Sequence, residues 1–171
     1  MRLAVFTAEF PGRINTFFAR DMCALIRAGV EIAIFPIHPL RPQFWSAVPE
    51  YLSAEVLPRD RVHHISPLAG FRPNARAGWR KRLRYLADAA TVRASALHFG
   101  PEVLIKSEYA CLKAWGWAAG VQEDRFDHVL AYWGNYAATA AYLFHRQLDR
   151  DVPLSILWHA HDLYERQAFF R

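Results

Sequence analysis

Residues 2–37 run strand, turn, helix, glycine, strand, and that order constrains the fold more than any other feature of the chain. "RLAVFTA" (2–8) is a compact apolar run ending near Pro11-Gly12, which has the length and punctuation of a buried strand. "NTFFARDMCALIRAGVE" then places Phe17, Phe18, Met22, Leu25 and Ile26 at helical spacing. Asn15 or Thr16 supplies a start and Gly29 a stop. "VEIAIFPI" (30–37) is a second β-branched run. A strand, a crossover helix and a strand make a βαβ unit with parallel strands and a right-handed connection.

The later segments repeat the alternation. Residues 38–73 hold many of the 10 prolines and read as loops with a short helix and one strand. Residues 74–98 read as helix, Gly100-Pro101 as its break, and 106–122 as a further helix. "FDHVLAYW" (126–133) is a strand, Gly134 a turn, and "NYAATAAYLFHRQL" (135–148) a helix with Asn135 as its cap. "VPLSILWH" (152–159) is the last strand. Strands alternating with helices predict one α/β domain over 1–171: a Rossmann-like, open, mainly parallel sheet with helices on both faces.

In such a sheet ligands bind beyond the carboxyl ends of the strands. Three stretches fall there. "EFPGRINTF" follows the first strand, and its Gly12 allows backbone to approach a ligand beside a helix N-terminus. It is not a G-x-G-x-x-G fingerprint, and an ordinary strand-to-helix turn explains it equally well. "AYWGNYAAT" brings Trp133, Asn135 and Tyr136, whose rings suit stacking on a sugar or base and suit packing too. "SILWHAHDLYER" (155–166) sets His159, His161 and Asp162 directly after an apolar run. Titratable groups clustered at a sheet mouth point to function. His159-x-His161 also suits a metal, because alternate strand residues face one way. A small metal-dependent hydrolase is therefore one candidate, with His63, His64 and His128 as possible further ligands.

The formal charge of +5 is unevenly spread. No acidic residue lies between Asp60 and Asp88, a span that holds Arg72, Arg76, Arg80 and Arg84 at intervals of four. A helix stacks them on one face, although Pro73 interrupts at Arg72. Such a face is either simply solvated or, in the sharper reading, seeks anions, whether anionic lipid head groups or a charged acceptor. Trp79, Leu83 and Leu86 are expected to pack inward. No nucleic-acid-binding motif accompanies the arginines. No apolar run reaches the ~18 residues that a membrane helix needs. Cys23 and Cys111 show no zinc or disulfide spacing and suit buried positions in a reducing cytoplasm.

Residues 1–37 and 126–165 together resemble the amino-terminal domain of family 4 glycosyltransferases, especially those that build bacterial exopolysaccharides. "AVFTAEFPGRINTFFARDMCALIRAGVEIAIFPI" is similar to their opening strand, "FP" loop, helix and second strand. "AYWGNYAATAAYL" and "SILWHAHDLYE" are similar to their later segments, and "HAHD" to their H-G-x-D pattern. The resemblance implies a GT-B enzyme of two Rossmann-like domains, of which this chain is the acceptor-side, amino-terminal half. The partner it implies is a carboxy-terminal donor-binding domain that carries a pair of spaced glutamates. His159 matches the histidine near the transferred sugar, and Asp162 the aspartate of the same pattern. His161 takes the variable position, Ala160 replaces the usual glycine, and Gly12 matches the glycine of the first loop. Ile14-Asn15 stands where a glutamate is common. The implied activity is retaining transfer from a nucleotide-sugar to a glycan or lipid-linked acceptor, with no metal and no resident cofactor. The implied location is the cytoplasm, peripheral at the inner face of the membrane. A stand-alone nucleotide- or carbohydrate-binding module is the other candidate.

Overall fold

A computed structural model of the protein describes residues 1–12, 16–41, 59–66, 68, 78–120, 126–149 and 151–159. Among these, four strands form one sheet in the order β2-β1-β3-β4. The strands are β1 (Arg2–Thr7), β2 (Glu31–Pro36), β3 (His128–Ala131) and β4 (Leu154–Ile156). The helices are α1 (Thr16–Arg27), α2 (Trp79–Leu97), α3 (Pro101–Gly120) and α4 (Tyr136–His145). Every pairing is parallel, and Val5 stands opposite Ile34 on one side and Leu130 on the other. The expected α/β class, open sheet and parallel strands are therefore observed.

Alternation along the strands divides the core. Leu3 and Val5 of β1, with Ile32 and Ile34 of β2, face α1 through Phe18, Ala19, Met22 and Cys23. Ala4 and Phe6, with Ala33, Phe35, Val129 and Ala131, face α2, α3 and α4. Successive strand residues point to opposite faces, so both faces are covered, as a parallel sheet requires. Phe6 is the hub of the second face. Its ring lies 4.9 Å from Phe35, 5.7 Å from Trp117 and 5.1 Å from Phe144. Cys23 and Cys111 are free and buried, as expected.

Two glycines earn their positions. Gly29 has φ 83°; its N–H donates to the Ile26 carbonyl at 2.9 Å, and the Val30 N–H donates to Leu25 at 3.0 Å. That is a Schellman ending, and it turns α1 directly into β2. Gly100 has φ 102° and separates α2 from α3. The second helix thus begins at Pro101 rather than near 106, because proline at the first helical position gives up no hydrogen bond.

The connections set the site. The chain leaves β1 over α1 on one face and moves outward to β2. It leaves β3 over α4 on the other face and moves to β4. Right-handed crossovers in opposite directions require that arrangement. The switch point therefore lies between β1 and β3, where the two connections depart to opposite faces, the place at which open α/β sheets bind ligands.

Candidate functional site

The β1–β3 ladder runs past its strand ends, since the Tyr132 N–H donates to the Phe6 carbonyl at 2.8 Å. Tyr132, Trp133 and Gly134 then lead into α4, whose cap is Asn135, as the sequence suggests. The Asn135 side chain accepts the Ala137 N–H at 3.0 Å, which satisfies one of the unpaired first-turn donors.

His159 follows β4 and folds back toward the switch point. Its Nε2 lies 3.0 Å from the Tyr132 carbonyl oxygen, so that nitrogen carries the proton and donates, and in the neutral ring Nδ1 is the acceptor. The imidazole is 4.2 Å from the Trp133 ring, 5.4 Å from Tyr132 and 5.8 Å from Phe17. Phe17 opens α1 and also meets Trp133 edge-on at 5.8 Å. The end of the first loop and the ends of β3 and β4 thus share one ring cluster. The link to the first loop runs through Phe17. The Phe10–Pro11 peptide of that loop is cis, and Gly12 follows it.

Tyr132 anchors the cluster from below. Its hydroxyl donates to the Asp21 carboxylate on α1. Burial, reinforced by that carboxylate, pushes the phenol well above its ordinary value, so it stays protonated as a donor. Its ring packs on Phe18 at 4.7 Å, and Phe18 on Phe10 at 5.2 Å.

A second feature lies on the other side of α4's first turn. A cleft of about 390 Å³ opens between the chain after β2, α3 and α4. Ile37, Ile105, Tyr109 and Tyr136 give it an apolar body, while His38, Lys106 and Asn135 bring polar atoms. Burial pulls His38 below the usual imidazole value, opposed by Glu9 and helped by Arg41, Lys113 and Lys106. Behind the cleft, Lys113 is wholly buried. Its Nζ donates to the Pro36 and Ile37 carbonyls at 2.8 Å each and lies 5.0 Å from the Trp117 ring. Burial pulls this ammonium down to about 7.

Of the residues singled out in the sequence, His159 and Trp133 meet at the switch point, Asn135 caps α4 and lines the neighbouring cleft, and Gly12 belongs to the loop after β1. Ala160, His161 and Asp162 lie outside the described residues, as do Ile14, Asn15 and Arg76. His128 stands at the amino end of β3, the edge opposite His159, where Nε2 contacts Ser155 Oγ at 3.0 Å; it is no partner for the cluster. His63 stacks on Phe35 at 5.0 Å beside β2. Among the described residues no group of three or more His, Cys, Asp and Glu is arranged to hold a metal ion.

Arg80 and Arg84 are exposed on α2, as the spacing suggests. The inward packing expected of Trp79, Leu83 and Leu86 is not observed. They are 67%, 56% and 55% exposed, because the face that turns to the core carries Tyr85, Ala89, Val92 and Ala96. Phe17, Tyr132 and Lys113 escape a sequence reading. The first two look like ordinary core aromatics, whereas Lys113 leaves a signal, a single charge inside the apolar "ACLKAWGW".

Among the described residues no helix is long and apolar enough to cross a membrane. Compared with protein-family models, with curated proteins and with solved structures, the chain finds no match.

Proposed function

We propose that this chain is the acceptor-binding half of a retaining glycosyltransferase of GT-B architecture. The observation that carries it is the ring cluster of Phe17, Tyr132, Trp133 and His159 at the switch point. Aromatic faces suit the C–H surfaces of a sugar, and an imidazole within the same cluster suits its hydroxyls. The segments that resemble family 4 enzymes are the ones that supply these rings.

In this role His159 hydrogen-bonds a sugar hydroxyl or a donor oxygen and is not a nucleophile. Trp133 and Asn135 shape the acceptor side, and the resemblance gives Asp162 a substrate-binding role and leaves His161 at the variable position. The Gly12 loop faces the donor diphosphate. The transition state is oxocarbenium-like, and its leaving diphosphate is stabilised by basic side chains and helix dipoles. The donor, a nucleotide-sugar, is held by a second domain. The location that goes with a lipid-linked acceptor is the inner face of a membrane, approached through Arg80 and Arg84 of α2.

The test is a transfer assay that follows the anomeric configuration of the product. Residues 1–171 alone are expected to transfer no sugar. Joined to a donor-binding domain they are expected to transfer with retention, and His159→Ala to lower the rate about 100- to 1,000-fold. Transfer by residues 1–171 alone contradicts the proposal. The 390 Å³ cleft favours a second reading, a binding module without chemistry. Stoichiometric binding of a nucleoside monophosphate that is lost in Tyr109→Ala supports that alternative.

A further inference from the structure

Helix α2 is amphipathic twice over. One face, Tyr85, Ala89, Val92 and Ala96, is buried against the body of the protein. A second apolar stripe faces outward. Trp79, Leu83, Leu86 and Leu97 are 67%, 56%, 55% and 63% exposed, and the exposed Ala90 and Ala94 continue the line between them. Steps of three and four keep these side chains on one side of the helix. The stripe is about 27 Å long at the α-helical rise. No fold within the described residues uses it.

Over its first half its charged neighbours have one sign, whereas further along Arg93 beside the stripe is paired with Glu108. Arg80 and Arg84 flank the stripe on one side and Arg82 on the other, all exposed, and Arg84 also donates one N–H to the Arg146 carbonyl at 3.3 Å. The Arg80 guanidinium lies over the Trp79 ring at 5.4 Å. The one carboxylate of α2, Asp88, is turned inward to Arg146 at 3.1 Å. Two copies of this face packed in parallel would oppose arginine to arginine, which disfavours that form of self-association. An apolar stripe edged on both sides by arginines, with tryptophan at its end, matches an anionic lipid interface. The stripe enters the acyl boundary while the guanidinium groups rise to the phosphates.

We propose that α2 lies in the plane of an anionic bilayer, with Trp79, Leu83, Leu86 and Leu97 inserted and Arg80, Arg82 and Arg84 on lipid phosphates. This deepens the membrane location given above, from attraction by arginines to insertion of an apolar face. The transfer assay tests the sugar chemistry separately.

Vesicle flotation is the experiment, with phosphatidylcholine alone and with phosphatidylcholine mixed with phosphatidylglycerol. The protein is expected to float with the mixed vesicles and not with phosphatidylcholine alone. Leu83→Asp with Leu86→Asp is expected to lower partitioning at least about tenfold, with far-UV circular dichroism and melting unchanged because both sites are exposed. Brominated acyl chains are expected to quench the protein's fluorescence, with less quenching in Trp79→Phe. If the double aspartate variant floats as well as the unchanged protein, or Trp79→Phe quenches equally, insertion is wrong and attachment is electrostatic only. If the protein never floats, both insertion and the membrane location are wrong. If the aspartates instead dissociate a dimer in sedimentation, the face belongs to a protein contact and the proposal falls.

Discussion

Lys113 shows how much a single residue can report. Its ammonium has no exposed surface, and two carbonyls and the Trp117 ring hold it where water cannot. Burial lowers its pKa to about 7 from the ordinary lysine value of 10.5. The unfolded chain therefore binds a proton that the folded chain lacks between those values, and stability rises as pH climbs through that window. Below about 7 both states are protonated and the dependence from this group ends. Urea titrations from pH 6 to pH 10 are expected to show that rise and to lose it in Lys113→Met. The same variant leaves the Pro36 and Ile37 carbonyls without their donor, a cost of about 1–3 kcal/mol at high pH. A stability that falls from pH 7 to pH 10 would contradict this account of Lys113. His159 is the other informative residue. Its place after an apolar strand was legible in the sequence, but its ring partners were not. Phe17 lies far from it along the chain and meets it only when β1, β3 and β4 align.

At the scale of elements, local chemistry was read well where a helix has a cap and poorly where two helices meet. Asn135 precedes an apolar helical pattern and accepts the Ala137 N–H, so Asn135→Ala is expected to cost about 1 kcal/mol in a denaturant titration. Pro101 looked like a breaker and is instead the first residue of α3. A proline at that point serves either role, and the positive φ of Gly100 decides it. Helix α4 depends on small side chains. Ala137, Ala138, Ala140 and Ala141 are all wholly buried, which lets the helix close on β1, β3 and α3. Ala141→Leu is expected to destabilise by about 1–3 kcal/mol, because a filled interior has no room for added methylenes; a neutral result would mean that the packing is looser than this. Helix α2 misled for a physical reason. With apolar residues on two sides, periodicity alone does not say which side turns inward, and the small Ala89 and Ala96 win over Trp79 and Leu83 by fitting closely against the neighbouring helix.

For the whole molecule, the order of strands and helices was enough to give the class, the parallel pairing and the carboxyl edge as the place to look. The switch point was not legible, since it depends on which neighbour each strand takes. Phe6 joins these levels, reaching Phe35, Trp117 and Phe144 from the central strand. Phe6→Ala is expected to cost about 3–5 kcal/mol and to lower the melting temperature sharply. The central claim is that the switch point between β1 and β3 holds a sugar against Trp133 and His159. Nuclear magnetic resonance of the indole and imidazole side chains, titrated with methyl hexosides and their disaccharides, tests it most directly. The account predicts saturable shifts at Trp133 and His159 that vanish in Trp133→Ala. Sugars that leave both rings unmoved, or that perturb only the cleft beside Tyr109, would contradict it.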